Sequence, residues 1–339
     1  MTALQTTWFF LVGVLLIGYA VLDGFDLGVG FWHLFTRRDD ERRVLINSVG
    51  PVWDGNEVWL LTGGGAIFAA FPPVYATVFS GFYLALMLVL LALIARAVSL
   101  EFRNKVPDPR WRATWDVSFS LGSTVAALLF GVALGNVLRG IPLDAEGNSA
   151  VAFLDLLNPY ALLVGLTGLA MVATHGALYL VLKTEGSLAD RAERWARAAW
   201  IAYAASWVAA AVSTVATQPH LVRSYRASPV LWLVPAASLA AVVAIPLLSR
   251  RGRPVAAFLA SSVSMAALMA TAGLALFPTI VPDLDGGGHD LTAFNSSSSA
   301  TTLTVMLVVA LVGMPVVLGY TAYIYRAFKG KVRPDEHGY

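Results

Sequence analysis

Apolar residues run along this chain in blocks of roughly 20, the length that carries an α-helix across a bilayer, and short polar stretches separate them. Nine such blocks stand out, over residues 8–35, 49–71, 74–94, 114–138, 159–182, 195–216, 229–248, 255–277 and 303–325. They predict an all-α membrane protein of nine transmembrane helices. Only Phe-Pro-Pro-Val separates the second block from the third, which predicts a tight helical hairpin. The first block is longer than a bilayer needs and should tilt or project. Segment 283–302, rich in Gly and Ser, reads as a mobile loop, and the RRDDERR stretch at 37–43 as a solvated charged one.

Charge placement gives these helices a direction. Alternating the loops between two sides puts Arg37, Arg38, Arg42 and Arg43 on one side with the basic residues of 96–112, 183–197, 250–253 and 326–333. Of 23 Lys and Arg, only Arg139, Arg223 and Arg226 fall on the other side. Basic loops stay in the cytoplasm, so the N-terminus is expected outside and the C-terminus, Arg333 included, inside. Losing or adding one span would scramble this partition. The chain is therefore expected to be embedded among lipids as a single multi-pass domain over 1–339, and its wealth of Ala, Arg and Val points to a bacterial cytoplasmic membrane.

Composition narrows the function classes. The chain is 58% hydrophobic and 13% charged, where a soluble domain carries about 25% charged residues. Cysteine is absent, which excludes disulfides, thiolate-held clusters and thiol catalysis. There is no Walker motif, dinucleotide fingerprint or metal-ligand spacing, and no soluble stretch for nucleotide or nucleic-acid binding. The first block lacks a basic leader and is too long for a cleaved signal, so it should remain as a helix.

Against that background, two stretches carry acids where acids are costly. GYAVLDGFDLGVG (18–30) holds Asp23 and Asp26; GPVWDGNEVWLLTGGG (50–65) holds Asp54 and Glu57, beside Trp53 and Trp59. Each pair is spaced i,i+3 and shares a sector of its helix. At 1.5 Å per residue, Asp26 should lie about 14 Å, Asp23 about 18 Å and Asp54 about 8 Å from the cytoplasmic end. All four then occupy the same half of two consecutive antiparallel helices, a layout suited to carrying protons from the cytoplasm. Two plainer readings stand beside it. Asp54 follows Gly50 and Pro51 and suits a first helical turn, where the dipole favours an acid. Asp23 and Asp26 can be structural, paired with backbone donors or with Arg96 as counter-charge. A protonated acid both donates and accepts hydrogen bonds, so it can serve a relay with no permanent charge in the membrane. On these acids alone, a proton-coupled transporter or channel is the competing function.

Of five histidines, His33, His175, His220, His289 and His337, only His33 and His175 lie within membrane reach. Haems take His, Met or Cys ligands, so this chain has too few buried candidates for several haems. His175 reads as a hydrogen-bonded core residue. No metal site is expected. Gly24/Gly28 and Gly131/Gly135 have the small-xxx-small spacing that brings helices close. Trp53 fits an interfacial belt, and Trp59, deeper, a helix interface.

The quoted motifs, with the run ERRVLINSVGPVWDGNEVW and the stretches WRATWD (111–116) and GVALGN (131–136), resemble subunit II of the cytochrome bd-type quinol oxidases. The resemblance is dense over the first 140 residues and continues to about 318. It implies two four-helix bundles, about 7–140 and 156–328, the second with one peripheral helix. It also implies a larger partner, subunit I, that holds two haems b, haem d and the quinol site, with small single-helix subunits in some members. The complex would oxidise quinol and reduce dioxygen to water with cytoplasmic protons. Carried over by motif, Asp26 and Asp54 would belong to the proton route, and Trp59 would lie near an apolar oxygen channel. Some members keep a structural quinone in this subunit. Val52 stands where some members carry His, and Glu57 where others carry Gln.

Overall fold

A computed structural model describes residues 1–149 and 151–332; Arg333 and His337 lie outside them. The chain begins with α1 (Thr2–His33), the amphipathic α2 (Asp39–Val49), α3 (Trp53–Ala70) and the short α4 (Pro72–Gly81). Then come α5 (Tyr83–Phe102), α6 (Pro109–Arg139), α7 (Pro159–Lys183), α8 (Gly186–Thr217) and the surface helix α9 (Pro219–Ala227). The last helices are α10 (Leu233–Arg250), α11 (Pro254–Leu276) and α12 (Ala300–Ala327), with a small ribbon of β1 (Thr279–Val281) and β2 (Leu291–Thr292) before α12. Among the described residues, eight helices are long and apolar enough to span a bilayer, and α3 with α4 makes a ninth if that pair is counted as one broken span.

Two boundaries differ from the hydropathy pattern. No hairpin forms at Phe-Pro-Pro-Val: α4 leaves α3 at 120°. Pro72, at the first helical position, has no N–H to continue the α3 ladder but is well suited to start a helix. The third span is accordingly α5, and it ends at Phe102 rather than 94. The second span begins at Trp53, because residues 39–49 form α2. The RRDDERR stretch is thus no solvated loop. Asp39, Asp40 and Glu41 occupy the first turn of α2, where the dipole favours acids, and Val44, Leu45, Ile46 and Val49 are buried beneath it.

The Gly/Ser segment before α12 is folded as well. Ser298 donates from its backbone N–H to Ala70 and from its hydroxyl to Ala69, satisfying carbonyls left open at the end of α3. Gln5 donates to the Phe294 carbonyl and to Ser297, tying the start of α1 to the same segment.

α1 is the axis of the molecule, packing against α3, α6, α7 and α11. Glycine permits the closest crossings. A Cβ on Gly28 would lie 2.0 Å from the Val172 carbonyl oxygen, and one on Gly176 would lie 2.4 Å from the Gly28 backbone, so α1 and α7 touch main chain to main chain. Gly131 meets Gly165 in the same way between α6 and α7. Gly122 of α6 faces the Ala92 carbonyl of α5, which draws α5 inward far enough for Arg96 to reach α1. By contrast α12 is the least buried of the spanning helices.

Candidate functional site: a buried acid pair on the central helix

From Asp23 to Gly30, α1 is buried on every side. Asp23 and Asp26 are 0% and 1% exposed, and their carboxylates have different partners. Both oxygens of Asp23 accept from Arg96, one from Nη1 at 2.8 Å and the other from Nη2. Arg96 is itself fully buried. This planar two-point contact is the strong form of the ion pair, and it neutralises the charge locally. Tyr19, one turn away on α1, brings its buried hydroxyl beside Asp23.

Asp26 makes no ion pair among the described residues, although Arg96 is near enough to act on it electrostatically. Its Oδ2 accepts from the Asn56 side-chain amide of α3 at 2.7 Å, and Asn56 Oδ1 in turn accepts from the Tyr325 hydroxyl of α12 at 2.8 Å. Asp26 Oδ1 is buried and has no hydrogen-bond partner among the described residues, with the Asp23 carboxylate close by on the same helix. Aromatic rings close the surroundings. Phe25 stacks on Tyr179 at 4.1 Å, and the Tyr179 hydroxyl donates to the Ser48 carbonyl of α2. A carboxyl in this position can take up or release a proton at one oxygen while the other stays anchored.

The four acids expected to form one ladder fall into two groups. Asn56 points at α1, and Asp54, two residues earlier, is therefore turned about 200° around α3. Asp54 is exposed on the outer face of that helix, next to Val58, Leu61 and Phe68. Glu57 lies between the two faces, half-buried, within Coulombic reach of Arg96, Asp23 and Asp54. Trp59 is buried flat against α1: a methyl at Gly18 would lie 2.3 Å from its ring. Trp53 is half-buried at the start of α3. An almost wholly apolar cavity of about 490 Å³ lies between α1, α6, α7 and α11, with Tyr19, Leu60 and Phe130 in its wall; Trp59 is not part of that wall.

A second polar cluster sits at the end of α1. Asp116 of α6 is 1% exposed and joins three partners: His33 Nε2 at 2.6 Å, Arg103 Nε at 2.5 Å and Arg42 Nη1 at 2.8 Å. Arg103 also donates to Asp39, as does Arg112. The cluster clamps α1, α2, α5 and α6 together where the basic loops gather. The spacing of residues did not point to it, although Asp116 lies in the WRATWD motif and His33 closes the first block. Asn56 and Tyr325 were missed too, because uncharged polar residues do not stand out in membrane helices.

Both membrane-level histidines are engaged. His175 is fully buried, its Nδ1 2.6 Å from Ser261 Oγ, which also lies 2.7 Å from the Phe258 carbonyl, and its Nε2 donates to the Val21 carbonyl at 3.1 Å. With the Nε2 of His33 held by Asp116, neither of these two histidines offers a free Nε2 to a haem iron.

Comparison with known proteins gives a consistent picture. Residues 4–328 match the sequence profile of cytochrome bd terminal oxidase subunit II. The chain is 39% identical over 368 residues to the cytochrome bd-I ubiquinol oxidase subunit 2 of Escherichia coli K12, covering 98% of this chain and 96% of that one. It is 37% identical over 338 residues to the cytochrome bd ubiquinol oxidase subunit 2 of Bacillus subtilis, with 99% of each covered. The bd oxidase structure from Geobacillus thermodenitrificans shares the fold, at a TM-score of 0.81 with 17% identity, over 97% of this chain and 99% of that one.

Proposed function

Because the chain belongs to the family of cytochrome bd terminal oxidase subunit II, we propose that it completes a quinol-oxidising, dioxygen-reducing complex in the bacterial cytoplasmic membrane and that Asp26 carries protons within it. The partner, subunit I, holds the haems b and haem d and supplies the electron transfer from quinol to oxygen. In support, the two histidines at membrane level, His33 and His175, each hold a protein partner through Nε2. The transporter or channel reading finds no echo among the relatives.

The carrying observation is the contrast within the acid pair. Asp23 is tied to Arg96 at both oxygens and acts as a fixed, neutralised pair. Asp26, one turn on, makes no ion pair and has one oxygen without a hydrogen-bond partner among the described residues. Only such a group can exchange a proton without breaking an ion pair. Glu57 lies between Asp26's surroundings and the outer face of α3, where Asp54 is exposed. A carboxylate facing lipid is costly, so that face is assigned to contact with subunit I, and Asp54 to handing protons across it. The orientation follows from the basic loops, which put the His33–Asp116 end in the cytoplasm and the acids in the cytoplasmic half. Oxygen access through this subunit would use the apolar cavity and not Trp59, which serves as packing against α1.

The test is Asp26→Asn in the intact complex. The haem spectrum should be retained, and quinol-driven oxygen uptake should fall roughly a hundredfold or more, the range for losing a positioned proton-transfer group. Unchanged turnover would refute the assignment.

A further inference from the structure

Tyr325 stands out because it sits on the least buried spanning helix, yet ends in a hydrogen-bond chain leading to the buried Asp26. An amide side chain can be turned over, exchanging its oxygen and nitrogen. At Asn56 the choice is made by the neighbours. As observed, the Tyr325 hydroxyl donates to Asn56 Oδ1, and the Asn56 N–H donates to Asp26 Oδ2, so each donor has an acceptor. Turned over, the amide would present N–H groups to the phenol and strip its hydroxyl proton of the acceptor it has. Asn56 is 2% exposed, so water does not readily replace either bond.

We propose that Tyr325 is a positioning residue for Asp26, acting through Asn56 to decide which carboxyl oxygen holds the proton. With the amide N–H on Oδ2, the proton of Asp26 resides on Oδ1, the oxygen with no hydrogen-bond partner among the described residues. Without the phenolic hydroxyl, the amide is free to turn over and offer its carbonyl to Asp26. The proton then settles on Oδ2, held by Asn56 and removed from the transfer path. α12 thereby reaches the proton site through one side chain, although it contributes little to the core. This inference rests on the proposal that Asp26 carries protons.

Infrared spectroscopy of the purified complex separates the two ideas. The carboxylic C=O stretch belonging to Asp26 is the band that disappears in Asp26→Asn. In Tyr325→Phe that band should split or shift, and turnover should fall about two- to tenfold, the effect of one hydrogen bond. Tyr323→Phe, on the same helix but 67% exposed, should change neither. A purely structural role for Tyr325 would lower stability and leave the band in place. A single unmoved band in Tyr325→Phe, or no band lost in Asp26→Asn, overturns the inference. Full turnover in Asp26→Asn refutes the proton-carrier reading instead, while the band in Tyr325→Phe still reports on the hydrogen-bond chain.

Discussion

Taking one member out of a buried ion pair leaves an uncompensated charge, at a cost of about 3–5 kcal/mol. Arg96→Leu should therefore lower the stability of the complex by about that amount, read as an earlier unfolding transition in heat or denaturant. Adding Asp23→Leu should recover most of the loss, since neither charge of the pair then remains buried without its partner. If the single substitution proved harmless, the pair would not be the anchor described here. Asp23, Asp26, Glu57 and Arg96 were legible because a charge inside an apolar block has no ordinary reason to be there. The outward turn of Asp54 was not: spacing gives angles between residues on one helix, while the rotation of the whole helix is set by what it packs against. Asn56 and Tyr325 are 269 positions apart, and no local pattern joins them.

The long spanning helices show in the hydropathy pattern, the short α2, α4 and α9 do not, and helix ends depend on chemistry that the pattern averages away. The third apolar block is split at Phe82 into α4 and α5, and a charged stretch becomes the first turn of α2. Neither event alters the mean hydropathy of its surroundings enough to be seen. Pairing of helices is likewise settled by backbone clearance. Gly28 and Gly176 were half-visible, the former as part of a small-xxx-small spacing, the latter only as its partner in the structure. Gly176→Ala would place a methyl group 2.4 Å from the Gly28 backbone. The two helices must separate, and the expected loss is about 1–3 kcal/mol, measured by denaturant titration of helical circular dichroism. Gly64→Ala, with nothing within 4 Å of its added methyl, is the control and should cost no stability, because alanine is the better helix former.

For the molecule as a whole, contacts gather the connecting segments at two ends of the helix stack. Ile141 pairs with Asp283 at one, and Lys183 donates to the Phe328 carbonyl at the other. The distribution of Lys and Arg predicts that the second end faces the cytoplasm. Because the chain has no cysteine, single-cysteine variants can be labelled without background. A membrane-impermeant maleimide should label Glu146→Cys in intact cells or spheroplasts, and Ser187→Cys only in inverted vesicles. The reverse pattern would put the acid pair in the wrong half of the membrane.

Proton uptake is the most direct test of the account. The fully reduced complex is mixed with oxygen in weakly buffered solution, and a pH indicator follows the protons consumed as the haems reoxidise. Wild-type complex should take up protons in step with oxygen reduction, and Asp26→Asn should take them up roughly a hundredfold more slowly. Uptake at the wild-type rate in Asp26→Asn, with the haem spectrum intact, would contradict a proton-carrying role for this residue.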